Sequence, residues 1–217
     1  MSRGAGLFGL SFMKLLILGA TGHTGRELVD LALARGHWVT AYVRSPRKLD
    51  RSEPRLLVKQ GDVLEVDRLT EALLGQDAVV SALGLPAKQA LRPSSFMAES
   101  MASTVAAMKR AEVQRLAVMS AAVLFPMRGL FYAFFRWLLQ HHARDLSAME
   151  SLLRATDLDW TIVRPPRLVN GPAVAPRIAV AGLPLRGRLI SFRSVAAFML
   201  DCLERAEHVH HVVGLAR

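Results

Sequence analysis

Three glycines set three residues apart, in Gly19-Ala20-Thr21-Gly22-His23-Thr24-Gly25, are the residues of this chain best suited to do chemistry. Lacking side chains, they let the backbone approach a bulky anion, and a helix beginning beside them would turn its positive end to that charge. A pyrophosphate suits both properties. A second candidate is Arg44, with Arg47 and Lys48 close behind it. A carboxylate in that place would hold the 2′-hydroxyl of a ribose, whereas a guanidinium pairs with a 2′-phosphate in two-pronged fashion. The pattern predicts a bound dinucleotide, NADP(H). The alternative for the cations is an ordinary solvated loop.

These residues work only if a strand precedes the glycines and a helix follows them. Leu15-Leu16-Ile17-Leu18 is a short continuous apolar run, as in a strand buried on both faces of a parallel sheet. Over 24–35 the residues Leu28, Val29, Leu31, Ala32 and Leu33 repeat at helical spacing, and Gly36 supplies the stop. A strand over 38–43 then delivers Arg44. The alternation continues with strands at 56–58, 78–80, 116–119 and 160–163, and helices at 66–74, 94–110 and 142–154. Strands separated by helices of this length give βαβ units. The expected fold is α/β: a single Rossmann-type, doubly wound parallel sheet with helices on both faces, over 13–217 and behind an N-terminal extension at 1–12. Beyond Arg164, Pro165, Pro166, Gly171, Pro172, Pro176, Gly182 and Pro184 break the pattern. A loop-rich cap is expected there, over 165–188, together with 121–141. A strand near 189–190, a helix over 194–203 and a strand near 212–213 close the chain.

Three further groups follow strand ends. Gly61-Asp62-Val63 follows the third strand, where Asp62 and Val63 either contact an adenine or cap the next helix. Ser81-Ala82-Leu83-Gly84 follows the fourth, where small residues let the chain pass close to a dinucleotide or Gly84 marks a tight turn. Ser120 follows the fifth, at the edge where ligands of open α/β sheets bind. Its hydroxyl is the first candidate for contact with a substrate, the alternative being a local bond to backbone.

Lys and Arg number 28 against 18 Asp and Glu, but the excess is scattered rather than gathered in a basic stripe with aromatics, so no nucleic-acid partner is expected. The single cysteine, Cys202, excludes an intramolecular disulfide and fits a cytoplasmic setting. His208, His210 and His211 lack a supporting carboxylate or cysteine cluster and read as a surface strand, with no metal site. Residues 123–139 carry six aromatics but also Arg128 and Arg136, which makes them a poor membrane span, so no transmembrane segment is expected. They read as an apolar flap over a planar substrate, with a dimer surface or a membrane-surface contact as competitors.

Taken together, KLLILGATGHTGRELV, TAYVRSP, GDVL, QDAVVSALG, RLAVMSA and LDWTIVRPP resemble the atypical short-chain dehydrogenase/reductase family, NAD(P)H-binding and NmrA-like. The nearest likeness is to its biliverdin reductase B and flavin reductase branch, and it runs over about 14–203. The resemblance implies an NADP-type cofactor held by Gly19, Thr21, Gly22, His23, Thr24, Gly25, Arg44, Lys48, Asp62, Val63, Leu83, Gly84 and Pro165. Ser120 would take the catalytic position beside the nicotinamide. The Tyr-x-x-x-Lys pair of many short-chain dehydrogenases is missing, its matching positions being His142 and Leu146. Glu150 stands where the branch has a histidine, and His141 and His142 read as a solvated pair on a helix. The implied activity is NADPH-dependent hydride transfer to a small planar conjugated acceptor, of the flavin or quinone type, with solvent giving the proton. The alternative is a non-catalytic NADP(H) sensor. Either a monomer or a homodimer fits.

Overall fold

The computed structural model describes residues 12–49, 51–126 and 137–217. Strand β1 (Lys14–Leu18) is buried from Leu15 onward. Leu15 and Ile17 enter one apolar layer and Leu16 and Leu18 the other, which is why the run shows no polar alternation. The chain continues through α1 (His23–Ala34), β2 (Trp38–Val43), β3 (Leu56–Gln60), α2 (Val66–Leu73), β4 (Ala78–Ser81) and the short α3 (Ala87–Ala90). Then come α4 (Phe96–Arg110), β5 (Arg115–Met119), α5 (Gln140–Arg154) and β6 (Asp159–Arg164). The remainder holds β7 (Arg167–Val169), β8 (Arg177–Val180), β9 (Leu189–Ser191), α6 (Phe192–Arg205) and β10 (His211–Ala216).

The main sheet has the order β3-β2-β1-β4-β5-β6-β10-β8. Every pairing in it is parallel except that of β8 with β10. The chain winds outward from β1 to β3 and then returns to lay β4 against the free side of β1. Loops leaving β1 and β4 therefore part in opposite directions and open a crevice at their carboxyl ends. Helices α1 and α6 cover one face, contributing Leu28, Val29, Val195 and Met199 to its core. Helices α2, α4 and α5 cover the other, through Leu69, Met101, Met108, Leu146 and Met149.

Two expectations change in the C-terminal third. The loop-rich cap expected over 165–188 contains β7 and β8, of three and four residues. Strands so short carry little periodicity of their own. They form because distant partners wait for them, Leu168 opposite Ile190 in β9 and Ile178 opposite Leu215 in β10. Of the three C-terminal histidines only His211 is in a strand, since His208 and His210 occupy the preceding turn with φ near 59°. The His208 ring lies against Phe198, and the His210 ring against Trp160, with its Nε2 bonded to the Leu158 carbonyl.

Candidate functional site

The crevice holds a cavity of about 410 Å³, lined by Gly19, Thr21, Gly22, His23 and Thr24 from the first turn, Tyr42 to Arg44 from β2, Gly61 and Val63. Ala82 to Pro86, Phe96, Met119, Leu168 and Phe192 complete the wall.

At the floor, Gly19 has φ +77° and lies so close to the β4 loop that a Cβ would sit 2.6 Å from the Ala82 carbonyl oxygen. A Cβ on Gly25 would come within 2.0 Å of the Gly19 carbonyl oxygen. Both positions therefore require glycine. Gly22 is the N-cap of α1 and its amide closes the turn on Gly19 O at 3.0 Å. The first turn of α1 contains no acidic residue and Gly22 offers no side-chain cap. Among the described residues, none accepts from the N–H groups of His23, Thr24 and Gly25, so the positive end of the helix faces the cavity uncompensated. The His23 ring stacks on Phe192, 4.9 Å between centroids and 19° between planes, tying the turn to the start of α6. Arg26 fixes the turn from outside by donating to the Thr21 and Lys48 carbonyls.

The β2 side carries Arg44, exposed at the rim, with its guanidinium 6.0 Å from the centroid of the Phe96 ring. Tyr42 lies beneath, its hydroxyl donating to the Asp62 carbonyl at 3.2 Å and its pKa pushed up by burial and by Glu65. Asp62 itself lies just ahead of α2. Its Oδ1 accepts from Leu64 N in a local turn, the N-cap of α2 is Glu65, and Asp62 is not on the cavity wall. Lys48 is likewise off the wall, and its carbonyl accepts from Arg26. Leu83 and Gly84 line the cavity, and a Cβ on Gly84 would meet nothing within 4 Å.

Beyond β5 the geometry departs further from expectation. Ser120 is buried behind the wall formed by Met119, and its hydroxyl donates to Glu150 Oε1 at 2.7 Å. Glu150, 2% exposed, also accepts from Arg164 Nε at 2.8 Å and Nη2 at 2.6 Å, and from Arg154 Nη2 at 3.0 Å. Four donors saturate the acceptor sites of this carboxylate. Arg164 also lies against the Phe125 ring, 4.7 Å from its centroid. Pro165 is off the wall, its carbonyl accepting from Ala122 N. His141 and His142 are half-buried, and among the described residues none is a hydrogen-bond partner of His142 Nδ1. Burial holds the His142 pKa below its usual value, against an opposing pull from Asp145. Of the expected flap, residues 127–136 lie outside the described residues, while Trp137 and Leu138 are exposed.

A glycine cradle, an open helix end and a rim cation at the switch point fit a dinucleotide. The sequence pattern of a family described as NAD(P)H-binding matches residues 19–206. The chain belongs to that NAD(P)H-binding family. A relative in it, the oxidoreductase stcQ of Emericella nidulans, is 31% identical over 222 residues, 90% of this chain and 79% of that one. A Rossmann-fold NAD(P)-binding family protein from Shigella flexneri has the same fold, with a TM-score of 0.76 and 24% identity over 95% of this chain and 94% of that one. So has a short-chain dehydrogenase/reductase of Veillonella parvula solved in complex with NADP, with a TM-score of 0.76 and 21% identity over 95% of each chain. Its family makes the chain an NAD(P)H-binding protein, and the likeness to stcQ supports the oxidoreductase type.

Sequence reasoning placed the glycines, Arg44 and the β4 loop but not Phe96, Met119, Leu168 or Phe192. An apolar residue at the start of a helix or inside a strand gives no local sign that its side chain faces a cavity.

Proposed function

We propose that this chain is an NADPH-dependent reductase that passes hydride to a planar conjugated acceptor of the flavin or quinone type. The observation that carries the reading is the makeup of the wall beyond the switch point. Met119, Leu168 and Phe192 offer flat or soft apolar surface there, while the buried carboxylate of Glu150 is committed to Ser120 and two arginines. Such a wall can hold a planar ring by stacking and exclude water, but it brings no acid to a substrate oxygen.

The N–H groups at the start of α1 hold the pyrophosphate, Arg44 holds the 2′-phosphate, and the β4 loop from Ala82 to Gly84 lies along the dinucleotide. Bound NADPH would supply the hydride, and a proton from solvent completes the reduction of the acceptor. Ser120 backs the wall rather than donating a proton, because its only proton is engaged by Glu150.

The test measures NADPH binding by fluorescence and NADPH oxidation with FMN and a set of quinones. Turnover of at least one such acceptor is expected. Tight binding without turnover of any overturns the reductase reading in favour of a non-catalytic NADP(H) sensor. Arg44→Asp should weaken NADPH at least ten-fold more than NADH, on the order expected for losing a charge-assisted pair and adding a repulsion. Equal losses for the two cofactors would remove the 2′-phosphate role.

A further inference from the structure

We infer that Phe96 is a specificity residue for the 2′-phosphate, acting through Arg44, and that Asp145 is the positioning residue that sets it there. The inference rests on the NADPH reading above.

Arg44 is an exposed cation at the cavity rim, and no carboxylate pairs with it among the described residues. What its guanidinium does meet is the face of Phe96, at 6.0 Å from the ring centroid. A guanidinium resting on an aromatic face keeps its in-plane N–H edge available, and that edge is what a phosphate engages in two-pronged fashion. A long side chain that would otherwise sample many rotamers is thus held near one before the ligand arrives, which lowers the entropy lost on binding. The charge makes the contact without being neutralised by it.

The ring in turn is placed by a contact from another helix. Phe96 is the first residue of α4, and Ser95 before it gives no side-chain cap, since its hydroxyl is bonded to Glu99. The cap comes from Asp145 on α5, 48 residues away in the chain, whose Oδ2 accepts from Met97 N at 3.1 Å and whose Oδ1 accepts from Ala98 N at 2.9 Å. Asp145 is only 4% exposed. Two bonds from one carboxylate fix both the height and the rotation of the first turn of α4, and so the direction in which Phe96 projects. They also compensate the positive end of α4, leaving the uncapped end of α1 as the better of these two helix ends for the pyrophosphate.

The experiment compares dissociation constants for NADPH and NADH by fluorescence titration in wild type, Phe96→Leu, Phe96→Tyr and Asp145→Asn. Phe96→Leu should weaken NADPH roughly two- to five-fold, the range for an exposed cation–aromatic contact, with less change for NADH. Phe96→Tyr keeps the ring and should restore the NADPH preference, and Asp145→Asn should lower it. On an Arg44→Gln background Phe96→Leu should no longer discriminate the two cofactors. Equal weakening of both cofactors, an unchanged ratio, or a Tyr variant that behaves like Leu would each overturn the role of Phe96. An Asp145→Asn protein with the wild-type ratio would overturn the positioning role. Wild type that binds both cofactors equally would instead sink the NADPH reading itself, so the two failures are distinguishable.

Discussion

Glu150 and His142 are two titratable side chains on one helix whose burial leads to opposite outcomes. Glu150 exchanges its water for four donors, from Ser120, Arg154 and Arg164. His142 exchanges its water for nothing at Nδ1, and burial keeps its ring neutral. The neutral state has a consequence for stability. Below the usual imidazole value of 6.5 the unfolded chain takes up a proton that the folded chain resists, so stability is lost as pH falls through 6.5 toward the lowered folded value. Above 6.5 this loss vanishes. Thermal midpoints of wild type and His142→Phe measured from pH 7.5 to pH 5 should therefore diverge, with wild type falling more steeply on the acid side. Parallel curves would show that His142 titrates alike in both states.

Among the elements, the β1–α1 turn carries the tightest steric demand. A Cβ on Gly25 would be driven into the Gly19 carbonyl, which is backbone and cannot move aside as a side chain can. Gly25→Ala should therefore reshape the turn and lower NADPH affinity at least ten-fold, while Gly75→Ala, where a Cβ meets nothing within 4 Å, should bind NADPH as wild type does. The Gly75 control has φ +73°, so it costs some stability from backbone strain alone, and binding measured well below the melting transition separates the two effects. Wild-type affinity in Gly25→Ala would refute this account of the turn. Between 14 and 164 the longer helices and the apolar strand runs are legible in the sequence, whereas α3, a single turn at Ala87–Ala90, is not. The elements β7 and β8 are not, because they owe their form to β9 and β10.

For the whole molecule, the core on the α1 and α6 face offers a probe of global opening. Cys202 is 3% exposed within it, and burial, with Asp201 and Glu207 nearby, pushes its thiol up to about 12. A thiol that is both inaccessible and protonated reacts only when the fold opens. A disulfide reagent should label Cys202 slowly in the native protein at pH 8 and at once in denaturant, and saturating NADPH should slow native labelling further by favouring the folded state. Labelling at the denatured rate without denaturant would contradict the packing of α6 against the sheet. No helix of the described residues is long and apolar enough to cross a membrane.

The sequence by itself determined the strand–glycine–helix unit, the rim cation and the winding of the sheet, since each rests on neighbours in the chain and on periods of two or 3.6 residues. Which side chains meet in the cavity was decided only by tertiary structure. Asp145 reaches α4 across 48 residues, Ser120 reaches Glu150 across 30, and Phe192 comes from beyond β9 to stack on His23. The reading of Ser120 as a candidate substrate hydroxyl rests on strand position, which is local information. The hydroxyl's actual direction is set by a carboxylate on a different helix, and no local pattern encodes that contact. The constraint on Gly25 is steric and lies within seven residues of chain, whereas that on Gly19 comes from Ala82 in the β4 loop.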